Sequence, residues 1–496
     1  MRSVSCIGRP VVAVGLLAAS TLTVHAGDST PSNPPTNAVL LIDSLGRVVA
    51  VPTNELPPEL QPPGGVSRQI PEPVKGAPIS SEVQQRIRDQ NATVTGLRFS
   101  PSTQSPLMPY LASQDEFGNT AIKPGALFPV TPVDLVQQGK YWLSDIGFRY
   151  SLQQTATFVT MSDVMQGDQS LGFYTLKFAS KWTVFTADGG GTAGWISSQV
   201  NAQTGLGPAG DRQDARTNLG TTADPTSLWS SHEGWRVPEL AWQQSFCDGK
   251  CVLLAGIINQ ANYLDDSSYA STARGQFLNS ALVNSDVLPL PSYNFGLNLQ
   301  WQPVDEWYVL IGPSMGRASA GERPWTDFSS SYWSLEGEIG YAPKNLAGLG
   351  PGIYRIQPFI AESDGWTQGG LCFNLQQQLG QDSPFGWFGR FGFGGSRVTD
   401  DAKTQIGTGV VFQGPFNHLL LGRFSNDFLG VGFVWSQPSA TTKTIIHENE
   451  YVLETTYTLQ LTPLTNLQPD LQIVWDPTFN SANSAVVFQL QAVLKW

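Results

Sequence analysis

The stretch VVFQLQAVLKW, residues 486–496, ends the chain and decides the fold class. Every second residue from Val486 to Leu494 is apolar, while glutamines and a lysine interrupt the opposite face. A period of two predicts a strand with one apolar side. Terminal residues ordinarily fray, so a strand that runs to Trp496 needs a partner. A closed barrel, in which the last strand pairs with the first, supplies that partner; the terminal strand of a soluble sandwich is the alternative.

The first 26 residues predict a secretory signal peptide. Arg2 and Arg9 precede a short apolar run, and the small residues that end at Ala26 predict cleavage after it. Cleavage removes two arginines and no acid, which takes the formal charge from −12 to −14. This acidity argues against nucleic acid as a partner. No later stretch of the sequence is long and apolar enough to predict a transmembrane helix.

Residues 27–126 predict a proline-rich linker with one short helix. Segments such as STPSNPPTN, residues 29–37, contain many prolines and few aromatic residues. The helix is predicted at SSEVQQRIRDQ, residues 80–90, which is too polar to bury much surface and favours a solvated spacer over a contact with a partner. The predicted organisation is therefore a signal peptide at 1–26, a linker at 27–126 and a β-domain at 127–496.

The β-domain consists of short runs in which apolar and polar residues alternate, separated by Gly, Asp, Asn, Ser and Pro clusters. The clearest run is NFGLNLQWQP, residues 294–303. We count sixteen candidate strands, an even number as bacterial outer-membrane barrels require. They lie at 145–158, 171–185, 193–203, 237–246, 252–260, 293–303, 306–314, 331–341, 353–361, 370–379, 386–394, 405–412, 428–436, 449–462, 467–476 and 485–496.

Aromatic residues near the strand ends favour a membrane barrel over a soluble sandwich. Outer-membrane barrels carry aromatic girdles at both interfaces and turn their polar face towards a wet lumen. The girdle candidates are Trp301, Trp307, Trp333, Tyr341, Trp387, Trp435, Tyr451, Trp475 and Trp496. The sequence therefore predicts an all-β fold, a transmembrane antiparallel β-barrel of sixteen strands around an aqueous channel, with a Pro-rich N-terminal extension and short helices.

Several stretches, in this order along the chain, resemble the carbohydrate-selective porin family of OprB type. They include VPELAWQQSFCDGK at 237–250, the long LDDSSYASTARGQFLNSALVNSDVLPLPSYNFGLNLQWQPVDEWYVLIG at 264–312 and YVLETTYTLQLTPLTNLQPDLQIVWDP at 451–477. The resemblance covers roughly residues 140–496, and the order and spacing of the stretches carry it. It implies a sixteen-stranded outer-membrane channel that passes sugars down their gradient through a constriction lined by arginine and acidic side chains. The family usually ends in Phe, where this chain has Trp496.

Charged residues on the polar strand faces are the candidates for the channel lining. Alternation nominates Arg149, Lys177, Lys181, Glu239, Glu336, Glu338, Arg355, Arg390 and Glu454, while Asp265 and Arg274 lie in the long loop expected to fold inward. The resemblance places an arginine and glutamate pair in the constriction, and a charged pair gives directional contacts to hydroxyls. We therefore predict a constriction of Arg236, Glu239, Arg274 and Arg355. A solvated position on the lumen wall is the alternative for each of them.

Two cysteines flank a turn and predict a disulfide. In FCDGKC, Cys247 and Cys251 stand on either side of Asp248 and Gly249, a hairpin-turn signal, in a chain exported to an oxidising compartment. A metal site is disfavoured because the mature chain has three histidines and no second cysteine pair nearby. Cys372 is expected to remain a free thiol.

The sequence predicts neither an enzyme nor a cofactor. His232, His418 and His447 are scattered, and DGGGTAG lacks the context of a phosphate loop. The predicted function is passive, sugar-preferring diffusion across the bacterial outer membrane. A general or ion-selective porin is the alternative, and a secreted or outer-membrane β-rich glycan-binding protein or hydrolase is a more distant one.

The predicted partners are small carbohydrates, outer-membrane lipid and the outer-membrane assembly machinery. A terminal aromatic strand such as 485–496 resembles the signal that this machinery reads. A monomer and a trimer are both compatible with the sequence.

Overall fold

The computed structural model describes residues 38–42, 48–52, 126–128, 143 and 146–496, the last range with gaps at 188–191, 207–212, 229–233, 248–249, 292, 305, 316–331, 364, 382, 400, 417–423, 425 and 441–442. The chain divides into two compact units, residues 1–77 and 78–496. None of the helices in the described part has the length and hydropathy of a transmembrane helix.

The first unit contains a β-hairpin that the sequence does not predict. Strands β1 (Ala38–Ile42) and β2 (Val48–Pro52) pair antiparallel, with Ala38 opposite Pro52. Both strands are rich in Val, Leu and Ile, residues that suit strands, although they fall within the segment predicted as a linker. The predicted signal peptide and the polar helix at 80–90 lie outside the described residues, and the domain boundaries stay predictions.

The second unit is a closed, antiparallel barrel of sixteen strands, which confirms the predicted fold and strand count. Each predicted strand corresponds to an observed one, with ends shifted by a few residues. The strands are β3 (Phe148–Met161), β4 (Ser170–Ala187), β5 (Thr192–Gly205), β6 (Gly234–Phe246), β7 (Cys251–Ile258), β8 (Asn294–Val304), β9 (Trp307–Met315), β10 (Tyr332–Tyr341), β11 (Gly352–Ser363), β12 (Trp366–Gln378), β13 (Phe385–Gly394), β14 (Ala402–Gln413), β15 (Phe428–Pro438), β16 (Glu450–Thr462), β17 (Thr465–Trp475) and β18 (Ser484–Lys495).

The last strand closes the barrel against the first. β18 pairs with β3 from Val487 opposite Met161 to Lys495 opposite Gln153. Trp496 continues the ladder, because its backbone N–H donates to Leu152 O at 2.8 Å and its C=O accepts from Leu152 N at 3.2 Å. The terminal strand therefore has the partner that its pattern requires.

The outer face of the barrel is apolar and exposed, and the inner face is polar. On β18, Gln489 and Gln491 point inward and are buried, while Phe488 and Leu490 point outward and are about two-fifths exposed. The aromatic residues form two belts, one at each end of the strands. One belt contains Trp182, Trp301, Trp307, Trp387 and Trp496, and the other contains Trp235, Trp333, Trp366, Trp435 and Trp475.

Residues 213–228, here the mouth segment, lie in the long connection between β5 and β6. Helix α1 (Ala215–Leu219) ends at Gly220, which adopts the left-handed φ of 80° that glycine favours. Arg216 forms a two-pronged ion pair with Asp401, in the connection between β13 and β14. The mouth segment is thereby tied to a connection on the opposite side of the barrel, at the same end.

Residues 259–291, here the inner loop, fold into the barrel from the connection between β7 and β8. The loop starts with a 3₁₀ turn (Gln260–Asn262) and contains helix α2 (Ser280–Val283). Phe277 packs against Phe388 and Phe428, with ring centroids 5.2 and 6.0 Å away. The sequence predicts a lumen without a packed core; the structure differs because the inner loop builds an apolar core against one side of the wall.

The wall carries glycine where the inner loop comes closest. A Cβ atom on Gly430 would lie 2.6 Å from the Phe277 ring, and one on Gly432 would lie 2.6 Å from Leu282. Contacts that short do not occur in real structures. Glycine at these positions therefore lets the inner loop lie directly on the strands.

Candidate functional site

Basic side chains lie on the lumen face of β3, β4, β5 and β6, in rows that the strand register sets side by side. Arg149 on β3 stands opposite Lys181 on β4. Lys177 is paired with Asn201 on β5, and Asn201 is paired in turn with Arg236 on β6. We call Arg149, Lys177, Lys181 and Arg236 the basic wall. The sequence predicts all four as lumen-facing or constriction residues, and the register places them on one continuous surface.

Arg236 and Glu239 both face the lumen because β6 is bulged between them. Gln199 on β5 pairs with Glu239, and the next lumen-facing residue of β5, Asn201, pairs with Arg236, so β6 has one extra residue here. In a regular strand two residues three apart point to opposite faces. Pro238 lies in the bulge, where its missing N–H removes no ladder hydrogen bond.

Glu239 is almost fully buried and is held by the start of the inner loop. Its carboxylate accepts hydrogen bonds from the Ser197 hydroxyl, from Tyr263 OH at 2.9 Å and from Asn262 Nδ2 at 3.2 Å. Arg236 is half-buried and its Nη1 lies 3.5 Å from Tyr293 OH, at the end of the same connection. The two predicted residues thus contact opposite ends of one connection, and two tyrosines flank them.

Arg274 lies on the inner loop beside β3. Its Nε donates to Thr155 Oγ1 at 3.2 Å, and Gln491 Nε2 on β18 donates to Ala273 O at 2.5 Å. The inner loop therefore extends from Glu239 on β6 around the far wall to β3. Arg236 and Glu239 therefore lie where the inner loop leaves β7 and returns to β8, and Arg274 lies where the loop reaches β3.

Arg390 anchors the inner loop instead of facing the open lumen. Its Nε pairs with Asp265 Oδ2 at 3.0 Å, and its Nη groups donate to Leu282 O, Asp265 O and Ala270 O. Asn374 Nδ2 donates to Asp265 Oδ1 at 2.6 Å. Both charged partners are buried. The guanidinium thus satisfies backbone carbonyls of a loop that has no regular ladder.

Arg355 lies behind the inner loop, apart from Arg236, Glu239 and Arg274, with which the sequence groups it. It is fully buried, with its Nε 2.8 Å from Tyr308 OH and 3.3 Å from Glu338 Oε1. Glu338 also accepts from Asp265 N at 3.1 Å, so this cluster lies behind the inner loop. Strand alternation assigns Arg355 to the inner face correctly, but it cannot indicate which inner-face residues a loop covers.

The acids on the far wall are also covered. Glu454 accepts from Leu278 N at 2.6 Å and Asn279 N at 3.0 Å of the inner loop. Glu336 is completely buried on β10, and no hydrogen-bond partner for its carboxylate is found among the described residues. Both follow the predicted inward parity, yet neither is open to the lumen.

The sequence misses Glu450, which accepts from the backbone N–H groups of Thr222 and Ala223 in the mouth segment at 2.8 and 3.0 Å. Glu450 precedes Glu454 by four residues on the same face of β16, so alternation could have found it. It also misses Tyr263 and Tyr293, which lie outside the strands where alternation gives no information.

Cys247 and Cys251 are both free thiols in the structure, so the predicted bridge is not formed there. They lie at the ends of the turn between β6 and β7, and Cys247 has a positive φ of 57°. The bridge stays a prediction. Cys372 is a free thiol, buried beneath the inner loop with its Sγ 3.7 Å from Ser285 Oγ.

The chain matches the model of the family described as carbohydrate-selective porin, OprB family, over residues 193–365 and 365–494. The porin AaxA of Chlamydia abortus is 23% identical over 294 residues, which cover 57% of this chain and 59% of that protein's length. An uncharacterized protein of Aquifex aeolicus is 37% identical over 62 residues, which cover 12% of this chain and 20% of that protein.

A solved structure shares the barrel. OprB of Pseudomonas putida, in its high-pH structure, aligns with a TM-score of 0.60 and 14% sequence identity. The alignment covers 76% of this chain and 100% of that one. At this identity the likeness shows a common fold.

Proposed function

Because the chain belongs to the carbohydrate-selective porin family, OprB family, we propose that it is an outer-membrane channel for passive, sugar-preferring diffusion of small carbohydrates. The barrel encloses a polar inner face, and diffusion through a wet lumen requires no energy source. The family and the fold are those of channels.

One arrangement carries this proposal: Arg236 and Glu239 are oppositely charged and both face the lumen, and each contacts a tyrosine, Tyr293 and Tyr263 respectively. A pyranose is polar around its rim and apolar on its faces. Charged side chains offer directional hydrogen bonds to hydroxyls, and tyrosine rings offer an apolar surface with a polar tip. We propose that Arg236, Glu239 and Arg274 form the constriction, and that Arg355 supports it from behind the inner loop.

The exposed apolar outer face and its two aromatic belts support a location in the outer-membrane bilayer. We propose outer-membrane lipid as the partner of this face and the outer-membrane assembly machinery as a partner of the terminal strand. The longest connections, 206–233 and 259–293, leave from one end of the barrel, while its first and last strands begin and end at the other. Short turns usually face the periplasm, so we assign the end with Trp496 to that side.

Single-channel conductance in planar bilayers tests the proposed function. We expect glucose and maltose to reduce the ion current in a concentration-dependent way, because a sugar in the constriction displaces ions and water. Sorbitol, which has hydroxyls but no ring faces, is the matched control and should reduce the current less at equal viscosity. If glucose and sorbitol reduce the current equally at every concentration, a general diffusion pore replaces the sugar-preferring one.

A further inference from the structure

Three buried side chains on β10 and β11 carry oxygen atoms without a hydrogen-bond partner among the described residues. Glu336 is 0% exposed, and both of its carboxylate oxygens lack a partner. The same holds for Oγ of Ser334, a residue that is 7% exposed, and for Oε1 of Gln357, which is 0% exposed. Burying a polar atom without a partner costs free energy, and the cost is greatest for a charged group. The three side chains therefore call for a common explanation.

The strand register brings these side chains into reach of one another. Ser334 and Glu336 are two residues apart on the lumen face of β10. The Ser334 hydroxyl interacts with the Glu336 carboxylate, although without the geometry of a hydrogen bond. Glu336 stands directly opposite Phe359 of β11, so Gln357 is its diagonal neighbour, about 7–8 Å away. The side chains of Glu336 and Gln357 are long enough to meet across that distance.

The inner loop begins directly beside Glu336. Gly312 of β9 stands opposite Glu336, and a Cβ atom on Gly312 would lie 3.1 Å from Gln260 Oε1 of the loop. Gln260 Nε2 donates to Ser314 Oγ at 3.0 Å, and Ser314 in turn stands opposite Ser334. The start of the inner loop thus lies over β9 next to the carboxylate, on the side from which lumen water would otherwise reach it.

Glu336 has no ion-pair partner in the described part of the chain. Arg355 of β11 stands opposite Gly340, four residues along β10, and pairs with Glu338 at 3.3 Å. Arg355 Nη2 also lacks a partner, but four residues of strand separate its level from that of Glu336 by about 13 Å. Strand β9 carries no basic residue, and Asp266 of the inner loop adds negative charge near Arg355. The surroundings therefore leave the charge of Glu336 uncompensated.

We infer that Glu336, Ser334 and Gln357 bind one alkali-metal cation, Na⁺ or K⁺, behind the inner loop. All the unpartnered atoms of these side chains are oxygen, the ligand that hard cations take. A single carboxylate balances a single positive charge, whereas a divalent ion would bring a second, uncompensated charge into a buried site. The described residues contain no group of three or more His, Cys, Asp or Glu residues that could hold a metal, which argues against a centre with several charged ligands.

A proton and a water molecule satisfy this site less completely. A proton on Glu336 removes the charge, but the resulting hydroxyl donates to only one further oxygen. A water molecule donates to two oxygens and leaves the carboxylate charge in place. A cation neutralises the charge and can contact the oxygens of Glu336, Ser334 and Gln357 at the same time. The ion would also join β10 to β11 beside the start of the inner loop.

The thermal midpoint of heat modification on a denaturing gel tests the inference with the full-length protein refolded in detergent. We compare sodium, potassium and tetramethylammonium chloride at equal ionic strength, so that screening of surface charges is the same. Sodium or potassium chloride should raise the midpoint by roughly 2–4 °C over tetramethylammonium chloride, whose cation is too large to enter, because an ion that binds the folded state stabilises it. Calcium chloride, also at equal ionic strength, is the arm for a divalent ion.

Substitutions locate the effect. Glu336→Gln should abolish the difference between the salts, and in tetramethylammonium chloride it should be more stable than the wild type because the amide carries no charge. Ser334→Ala should reduce the difference. Glu362→Gln is the matched control on β11 and should keep it, since the Glu362 carboxylate has donors of its own in Trp333 Nε1 and Thr367 Oγ1.

Anomalous scattering from crystals grown with rubidium chloride shows the ion directly. We expect a peak beside Glu336 in the wild type and none there in Glu336→Gln. Equal midpoints in all the salts together with no peak would overturn the inference, and Glu336 would then carry a proton. Stabilisation by calcium alone would overturn the assignment to an alkali-metal cation. A salt-dependent difference that Glu336→Gln retains would place the ion elsewhere. None of these results depends on sugar passage, so the proposed function is tested separately.

Discussion

Arg390 on β13 and Asp265 on the inner loop form a buried ion pair, with Arg390 Nε 3.0 Å from Asp265 Oδ2. Removing one partner of a buried pair leaves the other charge uncompensated, which typically costs about 3–5 kcal/mol. Because Arg390 also binds three backbone carbonyls of the loop, this cost should appear as loosening of the loop while the ladder of the barrel remains.

Asp265→Ala should therefore release the inner loop. We expect a larger and noisier single-channel conductance, and trypsin cleavage after Arg274, which the wild type should resist in its folded form. Arg397→Gln is the control, because Arg397 is exposed and contacts the Trp366 ring outside this cluster. An inner loop that stays intact to trypsin in Asp265→Ala would show that its other contacts, such as those of Phe277 and Glu454, hold it without this ion pair.

Gly430 and Gly432 lie where the inner loop packs directly on the wall, so a larger residue there should destabilise the protein. Gly430→Ala places a Cβ atom 2.6 Å from the Phe277 ring, and overpacking of this kind typically costs about 1–3 kcal/mol. We expect a lower thermal midpoint for heat modification on a denaturing gel. Phe277→Leu in the same chain should restore part of the loss by vacating the space. Gly337→Ala, whose new Cβ would have its nearest contact at 3.6 Å, should leave the midpoint unchanged.

The strands could be predicted because their signal is local, whereas the environment of the charged residues depends on the loop. Alternation predicts β8 at 293–303, one residue from the observed Asn294–Val304, because one face meets lipid and the other faces inward. The same alternation places Arg355 on the inner face, yet it cannot show that the inner loop buries it. For Arg236 the error of alternation runs the other way. Regular alternation would point Arg236 and Glu239 to opposite faces, but the bulge turns both inward. Pro238 is the residue of the sequence that could have indicated this bulge.

We expect the mouth segment to be more stable in mild acid than at neutral pH, because Asp224 is buried in it. Burial raises the pKa of this carboxyl from 3.8 to about 6, an effect that the hydrogen bonds from Thr226 and the charge of Arg216 only partly offset and that Asp214 reinforces. Between about pH 4 and pH 6, Asp224 is therefore protonated in the folded segment and ionised in the unfolded one. The stabilisation is present below this window and is lost as the pH rises through 6.

Hydrogen exchange of residues 213–228 at pH 5 and pH 7, corrected for the intrinsic exchange rate, measures this effect. We expect greater protection at pH 5 in the wild type and a smaller difference in Asp224→Asn, whose amide needs no proton. Asp163→Asn, in the exposed connection between β3 and β4, is the control. Equal protection of the wild type at both pH values would contradict the prediction.

Cys247 and Cys251 should form a disulfide in the exported protein. They flank a short turn, and Cys251 stands opposite Phe246, the residue before Cys247, so the two thiols are close in space. We expect alkylation without reduction to label Cys372 only after denaturation, and alkylation after reduction to add two labels. Labelling of three mature thiols without reduction would rule out the bridge.

Glu239→Gln should shift the ion preference of the channel towards anions. The carboxylate is the acid that lies among the basic wall residues, and its loss leaves the positive side chains around it less compensated. The amide keeps the size of the side chain; its oxygen can accept from Ser197 while its NH2 group donates to the Tyr263 hydroxyl, which can also accept, so the bulge and the loop should remain in place. The measurement is the zero-current potential across a planar bilayer with a salt gradient.

Glu362→Gln is the matched control and should not change this potential. It removes a carboxylate that accepts from Trp333 Nε1 at one end of the barrel. If the zero-current potential of Glu239→Gln equals that of the wild type, Glu239 does not influence the ions that pass. The constriction would then have to be sought away from Arg236.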